Sequence, residues 1–526
     1  MSDALAVEML GICKRFGPVQ ANADVDLRVA AGTVHGIVGE NGAGKSTLMS
    51  VLYGFYTSDS GTISVNGQPA TIRNAHEAIA LGIGMVHQHF MLVDTLTALE
   101  NVMLGAEPHV LLHKAEAIVR KRLSALMTST GLKVALDAMV ADLSVGDRQR
   151  LEILKALYRG ARILILDEPT AVLTPQETEQ LFGVLGLLRE QGTTILLITH
   201  KLKEVMRLCD RVTVMRSGRV VQELAIADAT IEGLAEAMVG RKVQMGRVGD
   251  NQKPVGEVLL RASGIHLRDA MGVVRLHQLD VTLKAGEIVG VAGVSGNGQS
   301  ELLEVLSGLT APDAGELSVG GTEFRAGAWL DPRKARDLGV AHVPEDRHER
   351  AMVMSFDAWE SAVLGYEWLP QYCRLGWMNH PQMRHATAEM MERFDVRPRD
   401  ADLSCASFSG GNQQKLVLAR ELGQAPRVLL VGQPTRGVDI GAIEFIYSQL
   451  RAMRDAGCAV LVVSSELDEI LALSDRVIVM NQGHVTGELP IAQCSESALG
   501  MLMVGGKAAT NAPPLASVSR GAEPAK

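Results

Sequence analysis

At 526 residues with a formal net charge of -9, the chain is long enough for more than one core and lacks the basic excess that wholesale binding to nucleic-acid phosphates requires. A composition of 47% hydrophobic, 21% charged and only 4% aromatic residues belongs to a globular protein rich in aliphatic strands and helices, and excludes a largely disordered one. The cysteines, Cys13, Cys209, Cys373, Cys405, Cys458 and Cys494, form no CxxC pair, which argues against zinc sites and disulfide frameworks and suits a reducing compartment.

The N-terminal stretch MSDALAVEMLGICKRFG has no basic region ahead of an apolar run. No apolar run reaches the roughly 18 residues that span a bilayer, so we expect a cytosolic chain that would serve a membrane only by docking onto other subunits. The first motif in chain order is Gly39-Glu-Asn-Gly-Ala-Gly44-Lys45-Ser46, a GxxxxGK[ST] pattern directly after the apolar strand HGIV. Its backbone N–H groups, from Gly39 through Asn41, Gly42 and Gly44 to Thr47, can cradle phosphates at a helix start. Lys45 would neutralise the β and γ phosphates, and Ser46 would ligate Mg²⁺. Taken alone, the motif leaves a glycine-rich turn as the lesser alternative, which its partners nearly remove.

GMVHQHF follows, with Gln88 as a polar residue after an apolar strand. His87 and His89 beside it read as solvated loop residues, because no cysteine or acid nearby completes a metal site. Thr97-Ala-Leu-Glu100 is a capping box that opens a helically patterned segment running to about Leu136, a helical subdomain beside the sheet. ILILDEP then supplies an apolar strand ending in Asp167, placed to hold a metal through water, and Glu168, placed to polarise an attacking water. His200, in LLITHK, occupies a strand end like Gln88, and the pair suits contact with Mg²⁺, water or a γ-phosphate; each alone could be ordinary surface.

The chain then repeats itself. GIVGENGAGKSTL recurs as GVAGVSGNGQSEL from Gly290 to Leu302, and CDRVTVMRSG recurs as SDRVIVMNQG. Ser144 to Ser409 and Asp167 to Gly432 share one offset, 409 − 144 = 432 − 167 = 265. We therefore expect two tandem α/β domains, 1–241 and 258–505, each a mainly parallel sheet covered by helices, with a linker over 242–257 and a disordered tail over 506–526. In the second copy FSGGNQQK puts Ser409, Gly410 and Gly411 at a helix start without a lysine of their own. That is a half-site needing a partner, or simply a helix cap.

In order, the phosphate loop, Gln88, LSVGDRQ or FSGGNQQ, LDEP and His200 resemble the ABC ATPase family over nearly all of Met1 to about Lys507. The finer resemblance is to the fused double-domain ATPases of simple-sugar and nucleoside importers. HQHFMLVDTLTALENVMLG and VGQPTRGVDIGAIEFI look more like the nucleoside branch. The resemblance implies ATP and Mg²⁺ as cofactors and hydrolysis coupled to import from the cytoplasmic face of the membrane. It also implies two permease subunits and a separate extracytoplasmic substrate-binding protein as partners, no nucleic acid, and leaves open a second copy of this chain.

Members of this family sandwich ATP head to tail, which implies two composite sites. The first joins Phe16, for adenine stacking, with Lys45, Ser46, Gln88, Asp167, Glu168 and His200, facing Ser409, Gly410, Gly411 and Asp439. The second joins Gln299 and Ser300 with Ser144 and its LSVGD, where Val145 replaces a glycine. There Glu345 stands for Gln88, Gly432 and Gln433 for Asp167 and Glu168, Ser465 for His200, and Thr174 for Asp439. No Phe, Tyr or Trp occurs from Ile265 to Leu283 to stack an adenine. Loss of a phosphate counter-charge and of both carboxylates makes hydrolysis at the second site physically implausible, so one hydrolytic site per chain is expected. The rival reading is a soluble tandem ABC ATPase acting on ribosomes or nucleic acid, a type that keeps both sites intact and a long charged linker. A purely regulatory or scaffolding second copy stays open.

Overall fold

The computed structural model describes residues 4–87, 90–106, 112–170, 173, 175–242, 254–294, 296–438 and 440–503. Residues 243–253 of the expected linker over 242–257, and all of the expected tail over 506–526, lie outside them. Two compact units divide the chain, one of Met1–Met245, Ser409–Gly411 and Gly437–Phe445, the other of Gly246–Phe408, Asn412–Arg436 and Ile446–Lys526. Among the described residues no helix is long and apolar enough to cross a membrane.

In the first unit the unbroken aliphatic runs become the centre of a six-stranded sheet. Val34–Val38, Ile163–Asp167 and Thr194–Ile198 are buried at every residue, which is why they do not alternate: Leu164 and Leu197 share a core with helices on one face, and Ile165 and Leu196 share another with Leu48 of the helix Lys45–Leu52 and with Met9 and Leu27 of an antiparallel sheet. The strand order is Arg219–Ala225, Arg211–Arg216, Val34–Val38, Thr194–Ile198, Ile163–Asp167 and Ile83–Val86. All pairs are parallel except the first, with Val34 opposite Ile195 and Ile163 opposite Thr194. This register brings the C-terminal ends of the phosphate-loop strand and the acidic strand to one edge, where ligands of open α/β sheets bind. A four-stranded antiparallel sheet, built on the hairpin of Leu5–Phe16 and Val19–Ala30, lies in the same unit and alternates buried with exposed residues along Asp24–Ala30.

The helical segment expected after Thr97 is present as Ala98–Met103 and Leu112–Thr130. Its capping box is formed: the Thr97 hydroxyl accepts from the Glu100 N–H and the Glu100 carboxylate accepts from the Thr97 N–H. Val102, Val119 and Leu123 share a core with Leu151 and Leu154 of the following helix, Val145–Tyr158, and with Leu164 of the sheet.

The second unit reproduces this plan. Its six strands run Val340–Val343, Val428–Gly432, Ala459–Ser464, Ile288–Ala292, Arg476–Asn481 and His484–Pro490, with Ile288 opposite Val460 and Val428 opposite Ala459. The capping box recurs at Asp357 and Glu360. A departure unread in the sequence is the short hairpin of Cys373–Arg374 and Trp377–Met378, whose turn residues Leu375 and Gly376 both take positive φ. Inside the same unit, neighbouring Arg420 and Glu421 are both buried, on helix Gly410–Leu422. Arg420 donates to Glu421 Oε1 at 2.8 Å and to the carbonyls of Ala351 and Ser361, while the Tyr366 hydroxyl donates to Glu421 Oε2 at 2.7 Å.

His35 lies fully buried on the strand that feeds the phosphate loop, its Nε2 2.7 Å from Thr213 Oγ1. Burial, assisted by the charge of Arg211, pushes its pKa from 6.5 down to about 4. The unfolded chain takes up a proton near pH 6.5 that the folded chain refuses until about pH 4. Stability is therefore full above the unfolded value and declines as the pH falls, by about 2 kcal/mol at pH 5. Denaturant unfolding of the full chain should show a transition whose midpoint drops between pH 7.5 and pH 5; a first-unit transition insensitive to pH across that range would contradict this.

Candidate nucleotide site

The phosphate loop joins the buried strand Val34–Val38 to the helix Lys45–Leu52. Gly42 and Gly44 turn it with φ of 84° and 94°, a region that suits residues without Cβ. A Cβ on Gly44 would meet the Ala21 carbonyl oxygen at 2.3 Å, and one on Gly39 would meet that of Met215 at 2.3 Å. Asn22 Nδ2 holds the Gly44 carbonyl at 3.1 Å. Lys45 is buried and donates to the carbonyls of Gly39, at 2.7 Å, and Glu40, at 3.0 Å, so its ammonium spans the loop that would surround phosphates. Asn41 and Ser46 are exposed on the loop, with Thr47 half-buried behind them.

Asp167 and Glu168 end the adjacent strand. Burial raises the pKa of Asp167, opposed by the nearby Ser46 hydroxyl and by Lys45 and raised further by the neighbouring Glu168. Glu168 sits in left-handed backbone, φ 47°, with its N–H bonded to the Ile198 carbonyl at 2.9 Å. This conformation aims its carboxylate at His200, whose Nδ1 lies 2.9 Å from Glu168 Oε1. Burial works against that carboxylate, but the hydrogen bond and charge of His200, with Lys45 and Lys201, outweigh it and hold the carboxyl below its ordinary range. Among the described residues no group of three or more His, Cys, Asp or Glu could hold a metal by itself. Ser46 and Asp167 together offer the hard oxygen donors that a divalent ion arriving with phosphates prefers.

Phe16 ends its strand 40% exposed, its ring 5.0 Å from Tyr56 in an edge contact and 5.5 Å from the Lys14 ammonium. One expectation needs correction: His87 is not a solvated loop residue, because its ring is half-buried, 5.3 Å from that of Phe55 and 6.1 Å from that of Tyr53. Gln88, His89, Thr174 and Asp439 lie outside the described residues.

Ser144 caps the helix Val145–Tyr158, its hydroxyl accepting from the Asp147 N–H and donating to the Asp147 carboxylate. Ser409 immediately precedes the helix Gly410–Leu422, with Gly410 and Gly411 as its first residues. In the second phosphate loop Gln299 is buried where Lys45 was, its Oε1 accepting from the Asn297 N–H at 3.1 Å and its Nε2 donating to the Val294 carbonyl at 3.2 Å. Gln433 keeps the backbone of Glu168, φ 46°, with its N–H on the Val463 carbonyl at 2.8 Å. Its Oε1 accepts from Ser465 Oγ at 3.2 Å, a neutral pair where the first copy has a carboxylate and an imidazole. Ser300 Oγ lies 2.7 Å from Glu345 Oε2, and Gly432 presents no side chain.

A family model described as ABC transporter matches residues 23–171 and again 276–436. The chain belongs to the ABC transporter family. Its ATP-binding domain is present twice, and the chain is an ABC ATPase. Among curated relatives, the nucleoside import ATP-binding protein NupA of Lactococcus lactis is 42% identical over 96% of this chain and 99% of its own length. The guanosine import ATP-binding protein NupO of Bacillus subtilis is 44% identical over 95% and 97%, and the glucose import ATP-binding protein TsgD13 of Haloferax volcanii 40% over 96% and 96%. A solved structure of an archaeal ribosome recycling factor with a ribosomal stalk protein matches with a TM-score of 0.60, covering 91% of this chain and 89% of that one. At 20% identity this is a likeness of fold alone.

One residue of this ABC ATPase escaped the sequence reading. Glu204 is buried behind the acidic strand, where its carboxylate accepts from Thr170 Oγ1 at 2.6 Å and from Thr199 Oγ1 at 3.5 Å. It thereby ties the residue after Pro169 to the one before His200, and positions both. The signal was present: Glu204 and the buried Glu469 share the 265-residue offset of the repeat, 469 − 204 = 265.

Proposed function

We propose that this ABC ATPase is the energy-coupling subunit of an importer for nucleosides or simple sugars, with its hydrolytic wall in the first copy. The observation that carries this reading is the 2.9 Å contact between Glu168 and His200 beside Lys45, which the second copy replaces with an amide and a serine. A carboxylate held ionised there orients water toward the γ-phosphate. Lys45 offsets phosphate charge, and Ser46 and Asp167 would hold the Mg²⁺ that neutralises the triphosphate. In the family's arrangement Ser409, Gly410, Gly411 and Asp439 complete this site, with Gln88 as a metal contact and Phe16 beneath the adenine. Domain limits of 1–241 and 258–505 joined over 242–257 are the working division.

The names of the relatives, nucleoside and sugar import ATP-binding proteins, support a peripheral place at the cytoplasmic face of a cell membrane, beside two permease subunits and an extracytoplasmic substrate-binding protein. Nucleosides are the favoured cargo, on VGQPTRG and on the two relatives named for nucleosides. Uptake of labelled nucleosides and pentoses, compared in cells with and without this chain, tests the assignment. Loss of nucleoside uptake supports it, and unchanged uptake of both overturns it. Salt-sensitive recovery with ribosomes in place of apolar multi-span proteins would favour the rival reading instead.

A further inference from the structure

The copies differ most where the phosphate loop meets the acidic strand. In the first, Ser46 neighbours Asp167, a carboxylate from the strand end, closely enough to oppose the rise that burial imposes on its pKa. In the second, the strand Val428–Gly432 ends in a residue with no side chain, yet Ser300 still finds a carboxylate, that of Glu345 at 2.7 Å. Glu345 arrives from the loop after Val340–Val343, the neighbouring strand, which pairs Val343 with Val431. A Cβ on residue 432 would lie 2.5 Å from Glu345 Cγ and 3.0 Å from its backbone N. Glycine at 432 is therefore what admits the glutamate. The exchange is reciprocal, since Glu345 holds the sequence position that Gln88 holds in the first copy and Gly432 that of Asp167.

The rest of the second loop keeps the parts that bind and loses those that react. Gly296 and Gly298 take φ of 87° and 100°, as Gly42 and Gly44 do in the first loop, so the backbone cradle is retained. Gln299 supplies amide hydrogens without charge, which leaves more of the triphosphate's charge to be neutralised by a cation. Gln433 carries an amide where Glu168 carries a carboxylate, so it cannot serve as a base toward water.

We infer that Glu345 has taken over the carboxylate role vacated by Gly432, so that the second phosphate loop binds a nucleoside triphosphate with its divalent cation and holds it unhydrolysed. The inference rests on the ABC ATPase reading of the chain and adds to it a retained, non-hydrolytic site with a relocated ligand.

The test uses the full chain carrying Lys45→Ala, which removes the counter-charge of the first loop, titrated with a fluorescent ATP analogue and Mn²⁺. Bound Mn²⁺ is counted by electron paramagnetic resonance. Nucleotide should still bind together with Mn²⁺, and adding Glu345→Gln should weaken Mn²⁺-dependent binding by about 10-fold or more. Gly432→Asp alone should also weaken it, through the clash with Glu345. No nucleotide bound in the Lys45→Ala chain, or Glu345→Gln binding as tightly as its parent, would each overturn the inference. ATP turnover by the chain with Lys45 intact reads the proposed ATPase separately: no turnover there, with Mn²⁺-dependent binding here, would remove that reading and keep this one.

Discussion

Glu168→Gln is expected to leave ATP bound and to slow its hydrolysis by about 10²- to 10⁴-fold, the range that loss of a positioned general base produces. The substitution preserves shape, and the left-handed backbone at residue 168 already accepts a glutamine, as Gln433 shows at φ 46°. What disappears is the carboxylate that His200 holds at 2.9 Å and that Lys45 and Lys201 help keep ionised. Steady-state phosphate release gives the turnover, and equilibrium nucleotide binding on the same protein shows that the site is intact. Substantial residual turnover would move catalysis away from Glu168. Gln433→Glu, by contrast, should not raise turnover, because the new carboxylate would face Ser465, and the second phosphate loop carries Gln299 in place of a lysine.

The second large effect concerns stability. Arg420→Met should cost about 3–5 kcal/mol, the penalty of leaving a buried charge without its partner. Glu421 is completely buried; the substitution would leave it with the Tyr366 hydroxyl and with Arg336 Nη2 at the long distance of 3.9 Å. The carbonyls of Ala351 and Ser361 would lose a donor at the same time. Urea unfolding of the full chain should show the second unit's transition at lower denaturant and the first unit's unmoved. Arg420→Met with Glu421→Leu should recover much of the loss, because replacing both partners by apolar groups removes the stranded charge. A single exchange without effect would mean that Arg420 is solvated in the folded chain.

The fold was legible because its signals are local and doubled. Apolar runs such as ILIL and TILLI can be buried along their whole length only between two covering layers, and each recurs 265 residues later in the same register. The first site was legible for a related reason: Asp167 and Glu168 are charged residues at the end of a strand that otherwise carries none, and Lys45 follows a glycine-rich loop after another apolar strand. What stayed hidden depends on contacts between distant segments. Nothing in PEDR announces that Glu345 reaches Ser300, and only the space beside Gly432 shows why it can. The burial of His87 was misjudged because its packing partners, Tyr53 and Phe55, precede it by more than 30 residues. The Arg420–Glu421 pair was silent, since adjacent opposite charges on a helix ordinarily point to solvent.

Glu168 and Gln433 hold the same left-handed conformation, a backbone state that costs an ordinary residue about 1–2 kcal/mol, and each gives its N–H to the adjoining strand. One of the pair has a carboxylate suited to chemistry and the other does not. The left-handed conformation at Glu168 is therefore no signature of catalysis but a property of the turn, held equally by a residue whose side chain is an amide. At this turn the two copies differ in side chain over one main-chain conformation, so exchanging the amide for a carboxylate asks nothing new of the backbone.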